Sequence, residues 1–110
     1  MNATETEYAQ YLELQAKAGL IRRWWFEAIQ LRVGRVRKAC WWKMDFLVET
    51  NDARLVIHDT KGTRRLKRGK TSPRAEDDAI VKARAIAEKF PMPVYFVWKG
   101  QHGEWESRQM

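Results

Sequence analysis

The sequence predicts an α/β domain: a mixed central sheet flanked by helices, with its elements in the order α-β-β-β-α-β. Three observations predict it. An N-terminal segment has apolar residues at helical spacing and closes on a glycine. Aromatic and branched runs follow, separated by turn residues. A second helical segment then ends at a proline and leads into a short apolar strand.

Taking the elements in order, Thr4 to Ala18 reads as a helix, with Tyr8, Tyr11, Leu12, Leu14 and Ala18 at helical spacing. Asn2 or Thr4 suits its cap and Gly19 its stop. One strand is expected within Trp25 to Val33, and Gly34 gives a turn. The run RKACWWKMDFLVE, Arg37 to Glu49, is a second strand, long enough to bend or bulge. TNDA is a hairpin turn, after which Arg54 to Lys61 returns as a third strand. Gly62 to Pro73 lacks periodicity and reads as a loop. Through Arg74 it carries six basic residues in thirteen positions. A second helix spans Ala75 to Phe90, its acidic first turn Glu76-Asp77-Asp78 matching the helix dipole, and Pro91 ends it. PVYFVWK is a strand and the tail is polar.

At 110 residues the chain is one domain, 1–110, with no repeats. No run approaches the roughly 18 apolar residues of a membrane span, and the N-terminus lacks a secretory layout, so no membrane partner is expected. A single cysteine, Cys40, excludes an internal disulfide and fits a reducing cytoplasm. The net charge of +7 points to a polyanion, most often nucleic acid. Basic residues gather at Arg22-Arg23, at Arg32 to Lys38, and most densely from Lys61 to Arg74. Acidic residues collect at both ends and at Glu76 to Asp78, which favours a positive face.

The chemistry centres on two strands. Alternation sets Ile57, Asp59 and Lys61 on one face of the third strand, and Asp45 interrupts the apolar core of the second. A half-buried carboxylate needs a partner, and Lys61 or a metal ion serves. The two aspartates converge if the strands pair as a hairpin. Mg²⁺ takes oxygen ligands and is typically held by one or two carboxylates plus a substrate phosphate. Such an ion polarises the phosphoryl oxygen and activates a water, while a neighbouring lysine offsets the added negative charge.

Asp45 followed by Asp59-Thr60-Lys61 resembles the D…(D/E)-x-K signature of the PD-(D/E)XK nuclease superfamily. TETEYAQYLELQAKAG, MDFLV and HDTKG together are similar to its small phage and prophage proteins, with their S-K-K-E…Y-L-E-L helix, A-D-F-V strand and E-D-V-K-G strand end. The likeness runs from about Thr4 to Trp98. An acid-x-Lys triplet is weak by itself, although Asp59 to Lys61 is the only one in the chain, and the strength lies in the order of the elements. Methionine precedes Asp45 where the superfamily's name has proline.

The resemblance implies a restriction-endonuclease-like core and a Mg²⁺-dependent DNA endonuclease, with Mn²⁺ as substitute. Asp45 and Asp59 would bind metal, together with Glu7 and the Thr60 carbonyl. Lys61 would position water or stabilise the transition state. Arg64, Arg65, Lys67, Arg68 and Lys70 would hold the phosphate backbone, and Lys82 would face the site or the DNA. The helix itself does not decide between Glu5 and Glu7; Glu7 rests on the resemblance. The family neighbourhood points to branched or junction DNA of the Holliday-junction type and to a homodimer, and neither follows from this sequence.

Plainer readings stand beside these. Asp59 and Lys61 also fit a strand-end ion pair, worth at most about 1 kcal/mol if exposed. A basic DNA-binding module without catalysis, serving phage replication, packaging or regulation, has the same composition. Gly69-Lys70-Thr71 ends like a P-loop, but Arg64 stands where that motif needs glycine. In the pairs Trp24-Trp25 and Trp41-Trp42, one tryptophan of each points outward from a strand. Packing accounts for them, with base stacking as the alternative. His58 points away from Asp59, and neither it nor His102 has metal-ligand spacing.

Overall fold

Asn2 starts the first helix, α1 (Ala3–Lys17), through a reciprocal capping box. Its side chain accepts from the Glu5 amide at 2.8 Å, and Glu5 Oε1 accepts from the Asn2 amide at 2.9 Å. The helix stops at Gly19, whose φ of +78° suits glycine; its amide reaches the Ala16 carbonyl and that of Leu20 reaches Gln15. These coordinates are a computed structural model, and the structure describes residues 1–33 and 40–110. The Gly34 turn, the first part of the expected second strand and most of the Arg32 to Lys38 cluster lie outside the described residues.

The expected α/β architecture is present, with a mixed five-stranded sheet and two helices. The sheet consists of β1 (Arg23–Phe26), β4 (Phe46–Glu49), β5 (Leu55–Thr60), β8 (Val94–Lys99) and β9 (Trp105–Gln109), in that spatial order. β5 and β8 are parallel and are joined through α2 (Asp77–Lys89); the other neighbours are antiparallel. Two hairpins stand apart from it: β2 (Gln30–Val33) with β3 (Cys40–Lys43), and β6 (Gly62–Arg65) with β7 (Thr71–Arg74). The succession α1, β1, β4, β5, α2, β8 contains the expected order, with five strands added to it.

Four expectations change. The single strand within Trp25 to Val33 is two, because Glu27 turns to φ +48° and its amide bonds the Asp45 carbonyl, ending β1. The long second strand breaks at Met44-Asp45, where the chain passes from the β2–β3 hairpin into the main sheet. The segment Gly62 to Pro73 is a hairpin rather than a loop. It turns through a short 3-10 element (Lys67–Gly69), with Arg68 and Gly69 at φ +61° and +71°. The polar tail forms β9, since Trp105 packs edge-on against Tyr8 with ring centroids 4.8 Å apart.

The sheet separates two apolar layers. On one side Leu47, Ile57, Val94 and Phe96 pack with Ala83 and Ile86 of α2, and Leu31 and Trp42 of the β2–β3 hairpin lean against them. On the other, Phe46, Val48 and Val97 pack with Tyr8 and Leu12 of α1. Burying a Leu- or Phe-sized side chain stabilises by roughly 2 kcal/mol, so these two layers position everything described below. No helix among the described residues is long and apolar enough to cross a membrane.

Candidate active site

Asp45 and Asp59 face one another across the β4–β5 ladder. The register pairs Phe46 with His58, and one step further along it Asp45 stands opposite Asp59. Both occupy the α2 side of the sheet, since Asp59 alternates with Ile57 and pairs with Phe96 of β8. Asp59 is buried and Asp45 half-buried. Asp45 Oδ2 accepts from the Thr60 amide at 2.9 Å and from the Thr60 hydroxyl at 2.8 Å. Lys61 Nζ lies 2.8 Å from Asp59 Oδ2 and 4.9 Å from the centre of the Phe96 ring.

This geometry sets the protonation chemistry. Burial first, then the charge and hydrogen bond of Asp59, push the Asp45 carboxyl up to about 6, against the lowering by Thr60. Asp45 therefore gives up its proton less readily than an ordinary carboxyl. One carboxylate is matched by Lys61 and the other by neutral donors only, an arrangement short of positive charge.

Glu7 does not join the acids. The resemblance sets it beside them, but α1 packs on the opposite side of the sheet, where the Tyr8 hydroxyl hydrogen-bonds His58 Nδ1 at 2.6 Å. Glu7 is instead half-exposed and ion-paired with Lys99. Glu5 is engaged in the capping box. Among the described residues no three His, Cys, Asp or Glu side chains form a metal-holding group. Thr60 enters the site through its amide and hydroxyl. Lys82 sits on α2, on the dyad's side, 3.3 Å from Asp78.

Past Lys61 the chain runs directly into the β6–β7 hairpin, which gathers five cations within seven residues. Arg64, Arg65, Lys67, Arg68 and Lys70 are exposed and make no ion pair with a described residue. Arg22 and Arg23, by contrast, both bind Glu49, whose carboxyl they hold below its usual range. The hairpin is anchored near its base and near its turn: Thr63 Oγ1 donates to the Lys99 carbonyl at 2.6 Å, and Thr71 Oγ1 accepts from Trp98 Nε1 at 3.1 Å while donating to Glu106 at 2.6 Å. Between it and the β8–β9 turn lies a groove of about 480 Å³, lined by Arg65, Lys70, Lys99, Thr63, Thr71 and Gln101 among others. Gly69 favours glycine because its φ of +71° is left-handed; a Cβ there would meet only the movable end of the Gln101 side chain.

Each tryptophan pair divides as alternation demands. Trp24 and Trp42 turn toward the apolar layers, and Trp25 and Trp41 are exposed. Sequence reasoning missed the anchors Thr63 and Thr71, although β-branched threonines flanking a run that contains a turn-forming glycine, Gly69, are a hairpin signal. It also missed Lys99 as the partner of Glu7, for which sequence carries no signal. No family model, curated protein or solved structure matches the chain.

Proposed function

We propose that the protein is a divalent-cation-dependent endonuclease acting on DNA, with a PD-(D/E)XK type of core. The observation that carries this reading is the Asp45–Asp59 dyad, short of positive charge, with Lys61 on the same face and an unpaired cationic hairpin immediately following. The residues fit a Mg²⁺ ion: two facing carboxylates supply hard oxygen ligands, and Mg²⁺ needs few of these when waters and phosphate complete its shell. Asp45 and Asp59 would hold it, with the Thr60 carbonyl as a further donor. When bound, the ion supplies charge stabilisation at the phosphoryl oxygen and an activated water. Lys61 holds its ammonium at the dyad's edge, where it offsets charge that develops on the phosphoryl group. Thr60 fixes the Asp45 carboxylate through two donors, so that its other oxygen is presented in a set direction. Arg64, Arg65, Lys67, Arg68 and Lys70 bind backbone phosphates, and Lys82 reaches the same side of the sheet. Their contribution weakens steeply with salt. Branched DNA as substrate and a homodimer as the active form remain part of this proposal.

The second reading is a DNA-binding module without catalysis. The position of Glu7, on the far side of the sheet from the two aspartates, favours it. Labelled linear, single-stranded, flapped and four-way-junction DNA, incubated in Mg²⁺, Mn²⁺ or EDTA, separates the two. Metal-dependent cutting that disappears in Asp59→Ala supports the nuclease. Binding that is equal in EDTA, with no substrate cut, supports the module.

A further inference from the structure

The β2–β3 hairpin carries a tryptophan that the core does not use. Its register sets Leu31 opposite Trp42 and Arg32 opposite Trp41. Leu31 and Trp42 turn inward against the layer beneath α2. Alternation then gives the outer face to Gln30, Arg32, Trp41 and Lys43, all exposed, Trp41 at 56%. Trp25, the other outward tryptophan, already has the Arg23 guanidinium 5.3 Å from its ring. Trp41 has no ring or cation partner among the described residues.

We propose that Trp41 is a stacking platform for an unpaired base of a nucleic-acid strand, with Arg32 and Lys43 binding the phosphates on either side. The charges favour this occupant. Arg32 stands about 5 Å across the ladder from Trp41. Lys43 is about 7 Å along the same strand, half-exposed, in a loose 3.9 Å pair with Glu27 that a phosphate can replace. A base laid on the indole thus has one cation beside it across the ladder and another beyond it along the strand. A second copy of the chain docked here through a two-fold contact would set the Arg32 and Lys43 patch of one copy against the same basic patch of the other, which is repulsive. Bases inside a duplex cannot reach the ring, so the ligand class is single-stranded or locally unpaired nucleic acid. The face also leads to the dyad: Lys43 ends β3 two residues before Asp45, and the hairpin packs on the dyad's side of the sheet. The inference rests on the DNA-binding part of the proposed function and is independent of cleavage.

The test is fluorescence anisotropy in EDTA, with a labelled single-stranded oligonucleotide and a duplex of equal length, on wild type, Trp41→Ala and Trp41→Phe. Loss of one stacked base predicts about tenfold weaker single-strand binding by Trp41→Ala, duplex binding within about twofold of wild type, and recovery in Trp41→Phe. Equal losses on both DNAs, or unchanged single-strand binding, overturn the proposal. Unchanged binding with an altered sedimentation coefficient in Trp41→Ala overturns it in favour of a protein interface. If wild type binds neither DNA, the DNA reading falls with it. If wild type binds both and only the stacking pattern fails, the dyad and cationic hairpin stand unaffected.

Discussion

His58 and Asp59 are neighbours on β5 that face opposite sides of one sheet, and the two sides treat a buried ionisable group differently. His58 is half-buried beneath α1, and the loss of solvent pulls its pKa down to about 4. It is neutral at pH 7 and has a neutral partner, the Tyr8 hydroxyl. On the other side, burial and Asp59 raise Asp45 to about 6, so at pH 7 that carboxyl is charged against its surroundings. The first side has settled its polar group into the fold. The second keeps electrostatic strain that only added positive charge relieves, which is common where a site serves chemistry rather than stability.

Four experiments would break or sharpen this contrast. The largest effect is expected from Asp59→Ala, which should reduce divalent-dependent DNA cleavage by on the order of a thousandfold, the several kcal/mol that metal-assisted charge stabilisation supplies. Affinity measured in EDTA should be unchanged or tighter. Retained cutting would remove the dyad from the mechanism.

Next is Lys61→Ala, which leaves the buried Asp59 carboxylate without its ammonium and should cost about 3 kcal/mol in urea unfolding at pH 8.

Asp45→Asn should raise stability by up to about 2 kcal/mol at pH 8, because it removes the charge that the fold disfavours. The sign follows from proton binding. Asp45 has its pKa raised from 3.8 to about 6, so its favourable contribution is complete below 3.8 and lost as pH rises through 6. His58 is lowered from 6.5 to about 4, so its contribution is complete above 6.5 and lost as pH falls through 4. The two oppose each other between pH 4 and 6. Asp45→Asn should therefore lose stability steadily from pH 6.5 to 4, whereas His58→Gln should gain it from pH 6 toward 4. Parallel pH profiles in the two variants would show that the faces do not differ as described.

The smallest effect belongs to Tyr8→Phe, expected to cost about 1 kcal/mol and to leave any cleavage intact. A loss of cleavage would tie the α1 side to the site after all.

Sequence carried the parts whose signals are local. The Asn2 cap, the Gly19 stop, the turn between the two acid-bearing strands and the acidic start of α2 all depend on residues close in sequence. The confrontation of Asp45 with Asp59 could be anticipated for the same reason, since one short hairpin sets its register. What escaped depends on distant partners. β9 is a strand because β8 is beside it and Tyr8 awaits Trp105; its own sequence, WESRQ, is merely polar. The β6–β7 hairpin needs Lys99, Trp98 and Glu106 to anchor Thr63 and Thr71. The break at Met44-Asp45 arises because two different partners, β2 and β5, compete for one long strand. Glu7 was drawn to the acids by resemblance, and only the packing of α1 places it on the other side.

The dyad's construction also bears on how the chain folds. Asp45 and Asp59 close through a short loop, with the Thr50 amide bonded to the Arg54 carbonyl, whereas β5 meets β8 only after α2 has crossed over. Short closures cost little chain entropy and form early, and parallel pairings wait. The two carboxylates are thus forced together before Phe96 arrives beneath Lys61, and their repulsion belongs to the ascent of the folding barrier. Refolding in stopped flow should accelerate as pH falls from 7 to 5 in the wild-type chain and stay flat in Asp45→Asn. The same two acids would then act as a brake on the protein's own folding.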